Sequence, residues 1–354
     1  MMRSGMISVA PRLGSETLYL DFMKTIEQQV DFWNFSDDQK RSVFGEIKEN
    51  MNVSPKAAEK DWWVCHVIQA LFQLRCAEAL TFKGGTSLSK AWGITERFSE
   101  DVDVAFDKSF FGLNGETRSA RDRIRKVTRK YIRNEMMEEL LVTLRVFGAV
   151  ECDVAYIPRE DSDADPTVLR VEYRSVLPKD PYIKEYVKLE FSSRSPRGPR
   201  EVREIKPFAS QLSPLILFNK TEIPTVTPVR TFLEKVFLLH EEFQKNYPRH
   251  RRMSRHLYDL YMMDKAGFTE KALEDKELYA SLVEHRSVFN AIRGIDYSGH
   301  ERGNLSIVPP DEVLPLWEED YRFMRDQFIY GESPDFAELI STIRSIQDRF
   351  RGEL

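Results

Sequence analysis

Residues 81–106 read TFKGGTSLSKAWGITERFSEDVDVAF. Residues 81–83 predict the end of a strand, Gly84 and Gly85 a turn, and Thr86 and Ser87 the opening of a short helix that contains Leu88 and Lys90. Two glycines let the backbone approach a phosphate, and helix N–H groups with a hydroxyl can bind its oxygens. Many strand-to-helix turns look like this one, so the turn alone says little. Asp101 and Asp103 sharpen it. In a strand, residues i and i+2 share a face, so DVDVAF aims both carboxylates at one spot and sends Val102 and Val104 to the core. Two convergent carboxylates beside a phosphate cradle suit Mg²⁺ or Mn²⁺, which take oxygen ligands from protein and phosphate together. For the pair alone, the competing reading is an edge strand with two solvated aspartates.

The rest of the chain leaves room for such a site. Its 354 residues suggest one large domain or two of ordinary size. With 52 Lys and Arg against 57 Asp and Glu, the net charge of −5 excludes a wholesale polycation. A local basic face stays open, because a patch is a matter of distribution. The 23 Phe, 13 Tyr and 5 Trp exclude wholesale disorder. No run approaches the ~20 apolar residues that span a bilayer, and the first residues lack the apolar stretch of a signal peptide. Cys65, Cys76 and Cys152 have no metal-ligand spacing, and Cys65 beside His66 reads as a buried thiol next to a helix-surface imidazole. These features predict a reduced, cytoplasmic protein without a membrane partner.

Outward from the motif, residues 1–35 read as a weakly structured leader. Ser36 offers an N-cap, with Val43, Ile47 and Met51 following at helical spacing. Pro55 opens a second helix through Trp62, Trp63, Val67 and Leu71. Residues 119–145 predict one long helix. After it VFGAVECDVAYI, TVLRVEYRSVL and YVKLEFSS alternate like strands of an antiparallel sheet, and helices return from Thr231 to the end. The expected organisation is a leader over 1–35, an α+β core of catalytic type over 36–210 and a helical C-terminal domain over 211–354.

Gly-Gly-Thr-Ser followed by Asp-x-Asp on the next strand resembles the signature of the polymerase-β-type nucleotidyltransferase superfamily. Further stretches narrow the likeness: Glu59-Lys60-Asp61-Trp62-Trp63, GGTSLSKAW, RFSEDVDV, VKLEFSSR, RTFLEK and SRHLYDLYMM are similar to those of the AbiEii toxin family, across roughly residues 56–266. The resemblance implies an α+β fold, with a mixed or antiparallel sheet flanked by helices and a helical C-terminal domain. It also implies a toxin of a type IV toxin–antitoxin, abortive-infection system that moves a nucleoside monophosphate from an NTP to an RNA, with tRNA the expected acceptor. Gly84, Gly85, Thr86 and Ser87, with Lys90, would hold the triphosphate, while Asp101 and Asp103 would bind divalent metal. The interval from Ser87 to Asp101 exceeds the commonest superfamily spacing, so Thr86 and Ser87 both stand as the phosphate-binding hydroxyl. A third carboxylate on a neighbouring strand would serve the metal and the acceptor hydroxyl. Glu190 is the choice and Asp153 the alternative.

Farther along, Lys235 and Asp259 are implied to be essential, with Arg255 and Tyr258 assisting nucleotide binding. Without the resemblance, Arg255 and Asp259 at i, i+4 would read as an ordinary helix ion pair. Arg121, Arg125, Arg129 and Arg133 follow one another in i, i+4 steps, with Arg123, Lys126 and Lys130 widening the basic side. Such a stripe suits a phosphate backbone, RNA being the natural candidate. The family's antitoxin is typically a separate transcriptional regulator, so no stable complex is implied. Two further readings stand beside this one: nucleotidylation of a protein or small molecule, and a nucleotide-binding module that has lost catalysis.

Overall fold

Alternation along the strands produces a seven-stranded mixed sheet. The computed structural model describes residues 30–113, 118–158, 165–196, 198–290, 292 and 294–352. Strands β1 (Leu80–Lys83), β2 (Asp101–Phe106), β3 (Cys152–Ile157), β4 (Thr167–Tyr173), β5 (Tyr186–Ser192), β6 (Arg200–Arg203) and β7 (Ile223–Val226) lie in the order β3-β4-β5-β2-β1-β7-β6. The pairs β2–β5 and β1–β7 are parallel and the others antiparallel. Val102, Val104, Val187, Leu189 and Phe191 are fully buried on one face. Their alternates Asp101, Asp103, Lys188 and Glu190 are only partly covered on the other.

Helices pack on the buried face and at the end of the sheet. Helix α1 (Asp37–Met51) starts with a reciprocal Ser36–Gln39 capping box, and α2 (Pro55–Leu71) with Ser54 and an N-terminal proline. The short α3 (Gly84–Lys90) follows β1. Helix α4 (Arg118–Tyr131) continues through a π-helical turn, Ile132–Met136, into α5 (Met137–Val146). After α6 (Phe208–Leu212), six helices build a second apolar core around Phe232, Phe237, Leu257, Trp317 and Ile343. They are α7 (Pro228–Phe243), α8 (Ser254–Lys265), α9 (Phe268–Glu274), α10 (Lys276–His285), α11 (Leu314–Phe328) and α12 (Phe336–Arg351).

Two parts of the structure run across the expected boundaries. The leader lies outside the described residues as far as residue 29, but its last residues are docked. Phe32 and Phe35 bury their rings with Phe44 and Trp62, and Val30 bridges to Ile216. Burying such rings outweighs the entropy of ordering a few residues. The sheet also takes a strand from beyond residue 210. IPTV forms β7, although its proline and four-residue length hide any alternation.

A third feature had no sequence cue. Residues 328–332 return from the helical region to the segment before β2. The Phe98 N–H donates to the Phe328 carbonyl (2.7 Å), and the Tyr330 and Gly331 N–H groups both donate to the Glu96 carbonyl (3.0 and 3.3 Å). A Cβ at Gly331 would collide with the Glu96 side chain.

Candidate active site

Sheet register brings the carboxylates together. Lys83 on β1 lies opposite Asp103 on β2, and Asp103 lies opposite Glu190 on β5; Asp101 lies opposite Lys188. Residues paired in register share a face, so Asp101, Asp103 and Glu190 project to the same side. Lys188 Nζ holds Glu190 Oε1 at 2.5 Å, and Arg255 from α8 approaches Asp101 at 3.9 Å. Burial, with Glu190 next in effect, pushes the Asp103 carboxyl up to about 6. Burial raises Asp101 as well.

Carboxylates that resist ionisation beside a third carboxylate are stabilised by a divalent cation, and an all-oxygen donor set suits a hard one. The three residues fit that role by chemistry and register. Among the described residues, no three side chains are already drawn into a complete ligand set; Glu190 is turned onto Lys188. Asp153, the alternative third carboxylate, lies on β3 opposite Glu172. Three strand spacings, about 14 Å, separate β3 from β2, so Asp153 is not brought to the pair.

The glycine turn is fitted against this face. Gly84 has φ +81°, and a Cβ there would run into the Asp103 carboxylate. Only glycine meets both demands. At Gly85 a Cβ would lie 2.5 Å from Arg97 Nη2. Thr86 and Ser87 are both buried. The Thr86 hydroxyl donates to the Asp101 carbonyl, and the Ser87 hydroxyl donates to the Gly84 carbonyl at 2.8 Å. Both hydroxyls therefore brace the turn itself and tie it to the carboxylate strand.

Sequence reasoning did not single out Arg97. Its Nε and Nη2 donate to the two oxygens of Asp259 at 2.7 and 2.8 Å, and Lys235 Nζ meets Asp259 Oδ2 at 2.7 Å. Burial alone would raise the Asp259 carboxyl, but Arg97 and Lys235 outweigh it and hold the group well below the usual carboxylate range. Burial lowers Lys235 in turn. Two cations on one carboxylate leave a net positive charge behind the glycine turn, where an anion would profit from it. No local pattern marks Arg97, because its partner lies 162 positions away.

Several expected site residues are placed elsewhere. Asp259 is 0% exposed, and its partners are Arg97 and Lys235, not Arg255. It holds those two cations in place. Tyr258 is likewise 0% exposed and donates to the Glu332 carbonyl at 3.1 Å. Lys90 is drawn inward by the buried Asp61 of α2 and lies 3.6 Å from the centre of the Phe208 ring, away from the open side of the turn. Arg125 is 2% exposed beside Asp122. The inward face of α4 carries Ile124, Thr128 and Tyr131, and Arg125, one residue past Ile124, falls within that face. Arg121 and Arg129 are half-buried, and Arg133 is exposed; the outward basic side is formed by Arg123, Lys126 and Lys130 with Arg133.

Carboxylates suited to a cation, set against a turn suited to a phosphate, have the chemistry that nucleotidyl transfer requires. Residues 67–342 match the family described as "Nucleotidyl transferase AbiEii toxin, Type IV TA system", and the chain belongs to it. Membership implies an NTP substrate and an antitoxin partner. No curated protein matches the chain. Among solved structures it is similar to MenT4, a nucleotidyltransferase toxin of Mycobacterium tuberculosis H37Rv. The identity is 16%, the match covers 91% of this chain and 99% of that one, and the TM-score is 0.42. It is also similar to an H. pylori protein described as a nucleotidyltransferase, at 17% identity, with 78% and 97% of the two chains covered and a TM-score of 0.34.

Proposed function

We propose that this toxin uses Mg²⁺ or Mn²⁺ to transfer a nucleoside monophosphate from an NTP to an RNA acceptor, with tRNA tested first, releasing pyrophosphate. The observation that carries this reading is the in-register placement of Asp103 and Glu190 with Asp101 on one sheet face. Asp101, Asp103 and Glu190 would hold the cation, which when bound neutralises charge on the phosphoryl oxygens. Gly84 and Gly85 offer backbone to the triphosphate. The Arg97–Asp259–Lys235 group and Arg255 supply positive charge for the departing pyrophosphate. Glu190, oriented by Lys188, is the group that takes the proton of the attacking hydroxyl.

RNA as acceptor is supported by the outward basic side of α4, which suits a phosphate backbone. The antitoxin is read as a separate regulator, with no stable complex implied. Cytoplasmic action is proposed on the same footing; among the described residues, no helix is long and apolar enough to cross a membrane.

The test incubates wild type and Asp101→Ala with total tRNA, Mg²⁺ and each α-labelled NTP. Label should enter tRNA with wild type alone, and the productive NTP identifies the base. Label on protein instead would overturn the RNA acceptor.

A further inference from the structure

Beside the aspartate pair lies a cleft of about 570 Å³ that the transfer chemistry leaves unassigned. One wall is the segment leading into β2, from Arg97 to Glu100. The other is the approach to β5 over residues 181–186, and α11 with residues 250–255 completes the lining. The 250–255 segment is fastened to α11. Asp320 accepts the Arg252 N–H at 2.5 Å, the Ser254 N–H at 3.0 Å and the Ser254 hydroxyl at 2.5 Å. Arg252 adopts φ +60°, uncommon for a residue with a side chain, and its guanidinium lies on Glu100 at 2.6 Å.

The lining combines rings with cations. Tyr182 and Phe323 are 49% and 40% exposed and meet edge to face, with centroids 5.0 Å apart. Lys184 and Arg251 stand exposed at the rim, and Arg255 lies at the inner end next to Asp101. Unpaired polynucleotides are held by this chemistry, since bases stack on exposed rings while cations follow the phosphates.

Position selects the occupant. In-line displacement puts the attacking oxygen and the departing pyrophosphate on opposite sides of the α-phosphorus. Of the groups suited to pyrophosphate, Arg97 and Arg255 border the cleft, whereas the glycine turn and Lys235 are absent from its wall. Tyr186 belongs to it, on the strand that carries Glu190. We infer that the cleft receives the unpaired end of the RNA acceptor, with Tyr182 and Phe323 as the stacking platform and Lys184 and Arg251 on its phosphates. This rests on the proposed RNA acceptor.

The test measures, on the full chain, the affinity for a fluorescein-labelled single-stranded oligoribonucleotide with a free 3′ end, and separately the affinity for NTP without RNA. The double variant Tyr182→Ala/Phe323→Ala should weaken oligonucleotide binding by at least about tenfold and leave NTP affinity within about twofold. Arg251→Glu should weaken it further at low salt and reduce its salt dependence. All three side chains are exposed, and an unchanged thermal midpoint establishes that the fold is intact. Loss of NTP affinity with oligonucleotide binding intact would place the nucleoside of the NTP in the cleft and overturn the inference. Wild-type binding that neither variant alters would overturn it as well. A wild type that binds no RNA yet transfers label to another acceptor would instead overturn the RNA reading, and the inference with it.

Discussion

Glu190 lies directly opposite Asp103 across the parallel pair of β5 and β2. A residue far along the chain thus joins the Asp-x-Asp pair through backbone register alone, without any loop to position it. Strands hold such a relationship more rigidly than loops do, so the backbone fixes where Glu190 stands relative to Asp103.

Glu190→Gln removes the proposed proton acceptor and leaves its shape. Nucleotide transfer should fall by about a hundredfold or more, read as label incorporated per minute at saturating NTP. Asp153→Asn, out on β3, should stay within about twofold of wild type.

Asp259→Ala would leave Arg97 and Lys235 buried without their carboxylate. Breaking a buried charge pair from one side costs on the order of 3–5 kcal/mol. Denaturant unfolding should show that loss, together with weaker NTP binding. A variant as stable as wild type would contradict the positioning role given to Asp259.

Gly84→Ala should fold but fail to transfer. The substitution carries a left-handed backbone cost of about 1–2 kcal/mol, and its methyl meets the Asp103 carboxylate. The check is a small fall in thermal midpoint alongside a large fall in activity.

His66 gives stability a pH dependence. Burial pulls its imidazole down to about 4, against about 6.5 in an unfolded chain. As pH falls, the unfolded chain takes up the proton first, so stability rises with pH across this window. The contribution is therefore complete above about pH 6.5 and is lost as pH falls from there to about 4. It amounts to something on the order of 3 kcal/mol. Chemical unfolding at stepped pH should show a shallower slope for His66→Gln than for wild type.

On α4 the outward and inward basic residues should behave differently. Lys126→Glu with Lys130→Glu should weaken tRNA binding and flatten its salt dependence, each lost phosphate contact removing about 0.7–0.9 from the log–log slope. Arg125→Glu should instead lower the thermal midpoint, because it places a carboxylate under the helix.

The motif was legible wherever strand period two carried it. DVDVAF and YVKLEFSS each announce which side chains point away from the core, and the structure adds only the register that brings them together. The inward placing of Lys90 and Tyr258 is not legible locally, because the buried Asp61 and the Glu332 carbonyl that hold them come from distant segments. Arg97 went unnoticed for the same reason. The arginine stripe is a different case: i, i+4 spacing identifies residues near one face but not whether that face looks outward, and Ile124 and Thr128 share the face on which Arg125 is buried.

The strap at residues 328–332 ties together two stretches that lie far apart along the chain. The Glu96–Phe98 segment that carries Arg97 is held by backbone hydrogen bonds to Phe328, Tyr330 and Gly331. An opening that frees one stretch therefore frees the other, and the Phe98, Tyr330 and Gly331 amides exchange with solvent as one cooperative unit.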